Sequence, residues 1–194
     1  MSHTPPSPLY RFDETTFTIE DPGLGISFSE DSRACSSTTT CRDDGAVMIL
    51  STYKDGRLHG PSYAHFSDGT RASEKWFYNG CCHGRSLEYA QNGTLVSQRG
   101  YVQGRLAGQY RRWYPTGKLQ LSGHFVDGLP EGLFELFHDD GAIIRTTKFT
   151  KGRRDGVDIG WSDDGYLLFC EQWKEGTRQH TVLHDTLARG LRIQ

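Results

Sequence analysis

The chain lacks long apolar runs. Nothing in its 194 residues approaches the roughly 18 consecutive apolar residues of a membrane-spanning helix. It also lacks a strong charge of either sign. The formal net charge is −2, so bulk attraction to nucleic acid or to anionic lipid is not indicated. The start, "MSHTPPSPLYRFDE", has no basic stretch followed by an apolar one. That is not the pattern of a secretory signal, and it points to the cytoplasm. Five cysteines at irregular spacing (Cys35, Cys41, Cys81, Cys82, Cys170) do not form a disulfide framework and read as reduced thiols. No G-x-S-x-G elbow, P-loop or G-x-G-x-x-G stretch occurs. The adjacent cysteines of "CCHG" make a poor tetrahedral metal site. The expectation is no enzyme, no catalytic residue, no metal and no cofactor.

What the chain does have is glycine and aromatics: 23 glycines and 12% Phe, Trp and Tyr, against 35% hydrophobic residues in all. Short strands and tight turns follow from that mixture. The glycines keep time. One series falls at 45, 69, 93, 117, 141 and 165, a second at 56, 80, 104, 128, 152 and 176, and a third at 60, 84, 108, 132 and 156. Each has a period of 24 residues with no insertion, the mark of a repeat architecture. Five of the six glycines in the first series follow Asp or Asn, which predicts a type I′ hairpin turn there. The G-x-x-x-G pairs of the other two series predict a looser turn. The segments between are of strand length. The fold class is therefore all-β: a single-layer antiparallel meander of six 24-residue β-hairpin repeats.

Three columns keep their type. They are Tyr53, Phe77, Tyr101, Phe125, Phe149 and Trp173; Tyr89, Trp113, Phe137 and Trp161; and Leu95, Leu119, Ile143 and Leu167. All have one parity within the unit, which predicts one scaffold face. The opposite parity carries columns that change, such as Ser62, Ser86, Tyr110, Phe134 and Asp158. His59 and His83 occupy a position that holds Ala107, Glu131 and Asp155 in other units, which predicts a permissive solvent site.

The combination Y-x-[DN]-G-x-x-x-G, then an aromatic, then Asn-Gly or Asp-Gly, resembles the MORN repeat family over residues 42–180. The 24-residue spacing is most similar to MORN-variant repeats of bacterial proteins, some described as antitoxin-like or immunity proteins. In that family the repeat is a platform for binding. The resemblance implies a protein-binding module with one protein partner, a toxin or effector, neutralised by steric occlusion. The alternative it implies is a MORN-type scaffold associating with membrane lipids or a membrane-bound complex. Nucleic acid is not an expected partner, and a basic stripe suited to a membrane is interrupted by acids.

Residues 1–41 read as an N-terminal extension and cap, residues 42–180 as the MORN-like array, and residues 181–194 as a C-terminal helical cap. The helix is expected because Val182, Leu183, Leu187 and Leu191 fit helical spacing and Thr181 suits an N-cap. Tyr, Trp and Arg are the residue types that anchor interfaces. They nominate Tyr110, Arg112, Tyr114, Phe134 and His138 as a partner-binding cluster, with Trp76 and His124 at its rim.

Overall fold

The computed structural model describes residues 7–184. Three strands, β1 (Leu9–Phe12), β2 (Thr16–Asp21) and β3 (Ile26–Asp31), form a small antiparallel sheet. The others form a 14-stranded sheet: β4 (Ser36–Cys41), β5 (Val47–Lys54), β6 (Arg57–His65), β7 (Arg71–Tyr78), β8 (Cys81–Tyr89), β9 (Leu95–Val102), β10 (Arg105–Trp113), β11 (Leu119–Val126), β12 (Leu129–Pro130), β13 (Gly132–Phe137), β14 (Ile143–Thr150), β15 (Arg153–Trp161), β16 (Leu167–Lys174) and β17 (Thr177–His184). Sequential strands are hydrogen-bonded neighbours, apart from the two-residue β12, which pairs β11 beside that path. The meander expected from the glycine series is thus present, and β4 joins its sheet ahead of residue 42.

The two kinds of turn are exchanged relative to expectation. Asp55–Gly56, Asn79–Gly80, Gln103–Gly104, Asp127–Gly128, Lys151–Gly152 and Glu175–Gly176 each have positive φ at both residues. Strand pairing closes directly around them, with Lys54 opposite Arg57 and Tyr78 opposite Cys81. These are two-residue type I′ hairpins. At the Asp-Gly turns only the glycine has positive φ. There Gly69 N–H donates to Phe66 O and Phe66 N–H to Thr70 O, which is a type I turn followed by a glycine bulge. The Asp or Asn before the glycine has a different task. Its Oδ1 accepts the N–H two residues on, at 2.8 to 3.0 Å in Asp44, Asp68, Asn92 and Asp140.

The bulge beside each type I turn also shifts the register, as between Glu88 and Tyr89 or Leu136 and Phe137. Phe134 then pairs with Thr147, and Leu136 with Arg145. Even-numbered residues of one strand share a face with odd-numbered residues of the next. The parity that separated scaffold columns from variable columns does not survive this slip.

The type I′ turns are tied to one another. Gly80 N–H donates to Leu58 O, Gly104 to Cys82 O, Gly152 to Pro130 O and Gly176 to Arg154 O, at 2.8 to 3.0 Å. A side chain reinforces several ties. His59 Nδ1 accepts Asn79 N–H, His83 Nδ1 accepts Gln103 N–H and Glu131 Oε2 accepts Lys151 N–H. The position expected to be permissive is therefore a bracket between turns, and His59 is fully buried there.

No helix occurs among the described residues. The C-terminal helix expected from residue 181 is overturned where it can be seen, because 177–184 continue the last hairpin as β17. The Glu175–Gly176 turn places Thr177 opposite Lys174, and pairing runs on to His184 opposite Phe169. Thr181 and Val182 are β-branched and suit that ladder better than a helix start. Residues 185–194 lie outside the described residues.

Two compact units divide the chain, one ending at Gly108 and one beginning at Gln109. In the first, the β1–β3 sheet packs on the array and makes the main core. Phe17 and Ile19 have no exposed surface, and Ile26 and Trp76 join them. Tyr10, Phe12, Leu24 and Phe28 pack around this cluster. Glycine makes the approach possible: a Cβ on Gly60 would stand 2.7 Å from the Phe12 ring, and one on Gly84 2.8 Å from Tyr10. Polar groups in this interface are paired. His59 Nε2 meets Glu30, Trp76 Nε1 donates to Glu74 at 2.8 Å, and Arg85 bridges to Glu74 at 2.6 Å. Tyr10 donates to Asp21 at 2.6 Å, and burial, first, with that hydrogen bond, pushes its phenol well above the usual range.

Candidate partner-binding face

In the unit beginning at Gln109, alternation places Leu121, Gly123 and Phe125 of β11 on one face. Pairing adds Phe134 and Leu136 of β13 and Arg145, Thr147 and Phe149 of β14. The rings meet edge to face along this row. Tyr110 lies 5.7 Å from Phe125, Phe125 5.5 Å from Phe134, and Phe134 5.1 Å from Phe149. Such contacts add about 0.5–1.5 kcal/mol per pair beyond simple burial. Gly123 makes room for the row, since a Cβ there would run into the Phe134 ring. All four rings remain half-buried.

A polar cluster ends the row. Asp158 is 1% exposed. Arg145 donates to it twice, from Nε at 2.8 Å and Nη2 at 2.6 Å, and Thr147 Oγ1 donates at 2.9 Å. Arg154 Nη1 stands 3.3 Å from the same carboxylate. Burial pushes the Asp158 carboxyl up, but the hydrogen bonds and the two guanidinium charges outweigh it and hold the group below its ordinary value. Each arginine lies over an aromatic ring, Arg145 over Phe169 at 5.3 Å and Arg154 over Trp173 at 4.7 Å. Between row and cluster lies a hollow of ≈ 230 Å³, lined by Leu121, Phe134, Leu136, Phe149, Arg145 and Arg154 among others.

The seven residues nominated from sequence separate. Tyr110 and Phe134 meet through Phe125, and Arg112 is exposed farther along β10. Tyr114 and His138 stand instead at the entry of type I turns. Tyr114 donates to Phe137 O at 2.9 Å. His138 meets Asp163 at 2.7 Å, and this hydrogen bond, first, lifts the imidazole above its ordinary value. His124 is exposed and alternates to the face opposite Phe125. Trp76 is no rim residue, because it is 3% exposed beneath the β1–β3 sheet. Sequence reasoning missed Arg145, Arg154 and the buried role of Asp158. The available signal was an acid at 158 in a column otherwise holding Ser, Tyr and Phe.

Residues 106–127, which take in β10 from its second residue, the turn that follows and β11, match the MORN repeat variant family. The array carries a MORN-type repeat. No curated protein matches the chain significantly. A MORN repeat suggests a protein- or membrane-binding scaffold. Among the described residues no group of three or more His, Cys, Asp or Glu could hold a metal ion, and no helix is long and apolar enough to cross a membrane.

Proposed function

We propose that the chain is a non-enzymatic protein-binding module of six MORN-type units, acting in the cytoplasm as an immunity or antitoxin protein that occludes a cognate toxin. The observation carrying this reading is the aromatic row with its arginines on the unit beginning at Gln109, left half-exposed while the other unit seals its largest rings under β1–β3. Aromatic and arginine side chains on a rigid sheet are the usual anchors of an interface. The test is capture of a partner by the full chain from the organism that makes it, followed by dissociation constants for Tyr110→Ala and Arg112→Glu. Either change is expected to weaken binding about tenfold, Arg112→Glu with unchanged melting and Tyr110→Ala with a stability loss of about 1 kcal/mol from its contact with Phe125. Capture of no protein, or unchanged constants for both variants, would overturn the reading.

A second reading, a scaffold on membrane lipid, draws on the exposed Val126, Leu129 and Leu133 with Lys148, Lys151 and Arg153 on nearby strands and turns. Co-sedimentation with anionic vesicles at physiological salt would favour it over the first.

A further inference from the structure

The cluster at the end of the aromatic row is stratified by charge. Its carboxylates lie underneath: Asp158 is 1% exposed, and the side chain of Glu171 13%. Its cations lie on top, with the side chains of Arg145 and Arg154 each 37% exposed and that of Arg178 56%. Arg178 pairs with Glu171 at 2.9 Å, and Trp173 Nε1 donates to the same carboxylate at 3.1 Å. Three guanidiniums thus share two carboxylates. Arg145 commits Nε and Nη2 to Asp158, and Arg154 reaches it with Nη1 alone. Donors remain on both that no described residue takes up.

The second half of the arrangement is apolar. Phe134, Phe149, Leu121 and Leu136 line the hollow that Arg145 and Arg154 close. Glu135 borders it too, but its side chain alternates to the other face, opposite Thr146. The hollow therefore offers an apolar floor and a cationic end. Arg145 is held in place by its bidentate bond to a buried acid, so little freedom is lost when a second anion docks.

We propose that this hollow receives a segment of the protein partner in which an acidic residue stands next to a bulky apolar one. The apolar side chain occupies the space over Phe134 and Phe149, and the carboxylate accepts from Arg145 and Arg154. The proposal rests on the protein-binding reading above and specifies the chemistry its partner presents. A neutral or basic segment would leave the surplus guanidinium charge unpaired under a desolvating contact, which is costly.

The experiment uses the full chain and two capped peptides, acetyl-Gly-Phe-Asp-Gly-amide and its Asn counterpart, followed by ¹⁵N nuclear magnetic resonance. The Asp peptide is expected to shift the Nε–H signals of Arg145 and Arg154 and the amides of Phe134 and Phe149. The Asn peptide and the Arg154→Gln chain are each expected to bind about tenfold more weakly. Arg154→Gln keeps the bidentate Arg145–Asp158 pair, so its spectrum elsewhere reports whether the fold is intact. If that variant unfolds, the two peptides on the wild-type chain still decide. Equal binding of both peptides, shifts confined to other strands, or no shift at all would overturn the proposal. The captured partner separates the two ideas. A partner whose affinity ignores Arg154→Gln sinks this inference and leaves the binding reading standing, whereas absence of any captured protein sinks the reading itself.

Discussion

The two units solve the same packing problem in different ways. Both present strands whose columns repeat every 24 residues. In the unit ending at Gly108, the column holding Ser62 and Ser86 is small and polar, and Ser51 and Ser62 hydrogen-bond across it. Apolar mass is concentrated on the opposite face, where Trp76 meets Phe17, Ile19 and Tyr10 of the added sheet. In the unit beginning at Gln109, the same column holds Tyr110, Phe134 and Asp158. There the rings pack on one another and stop at a buried ion cluster. A common backbone clock therefore does not dictate where hydrophobic surface goes. Residues that vary between units do. The first unit buries Phe17 and Trp76 between β1–β3 and the array, and the second leaves every ring of its aromatic row half-accessible.

Substitutions should separate the units by size of effect. Phe17→Ala empties a site with no exposed surface and is expected to cost about 3–5 kcal/mol in chemical denaturation. Phe134→Ala removes a half-buried ring and is expected to cost about 1–2 kcal/mol. Equal costs would erase the contrast. Arg145→Ala should fall between the two, at about 2–3 kcal/mol, because it strips the bidentate partner from a buried carboxylate and leaves only Arg154 and Thr147. Gly123→Ala should cost about 1–3 kcal/mol by driving a methyl group into the Phe134 ring, with no backbone strain involved. A neutral Gly123→Ala would mean the aromatic row is loosely packed.

Two titrations give smaller effects with opposite signs. The folded-state Asp158 carboxyl lies below its ordinary value, so its contribution is present above the ordinary carboxylate range and is lost as pH falls through the folded value. Removing Arg145 should flatten that acid limb of the stability profile. His138 is raised by Asp163, so its contribution is full below the ordinary imidazole value near 6.5 and disappears as pH rises through the folded value. Asp163→Asn should abolish this small alkaline loss, measured as melting temperature against pH.

Much of the fold was legible because glycine spacing survives every change of side chain. The turn types were not, and the reason is physical. Asp-Gly suits both a type I′ turn and a type I turn with a glycine bulge, since each needs positive φ at the glycine. Only the residue before it distinguishes them. At 68 that residue keeps negative φ, while at 55 it has φ of 50°. The bulge that accompanies the type I turn then moved Phe134 onto the face of Phe149, which residue parity alone could not anticipate. The site was legible in part. Tyr110 and Phe134 stood out as aromatic replacements in a column of serines, but Asp158 and Arg145 are 13 positions apart and meet only through the pairing of β14 with β15. The docking of β1–β3 over Trp76 depends on contacts between side chains far apart in sequence, so Trp76 read as an open aromatic.

Hydroxyl-radical footprinting of the full chain, read by mass spectrometry with and without the captured partner, tests the contrast between the units most directly. In the free protein, Tyr110, Phe134 and Phe149 are predicted to be modified readily while Phe17 and Trp76 are protected. Adding the partner is predicted to protect the first three and leave the other two unchanged. Ready modification of Trp76 in the free chain, or an aromatic row whose labelling the partner does not alter, would contradict the account.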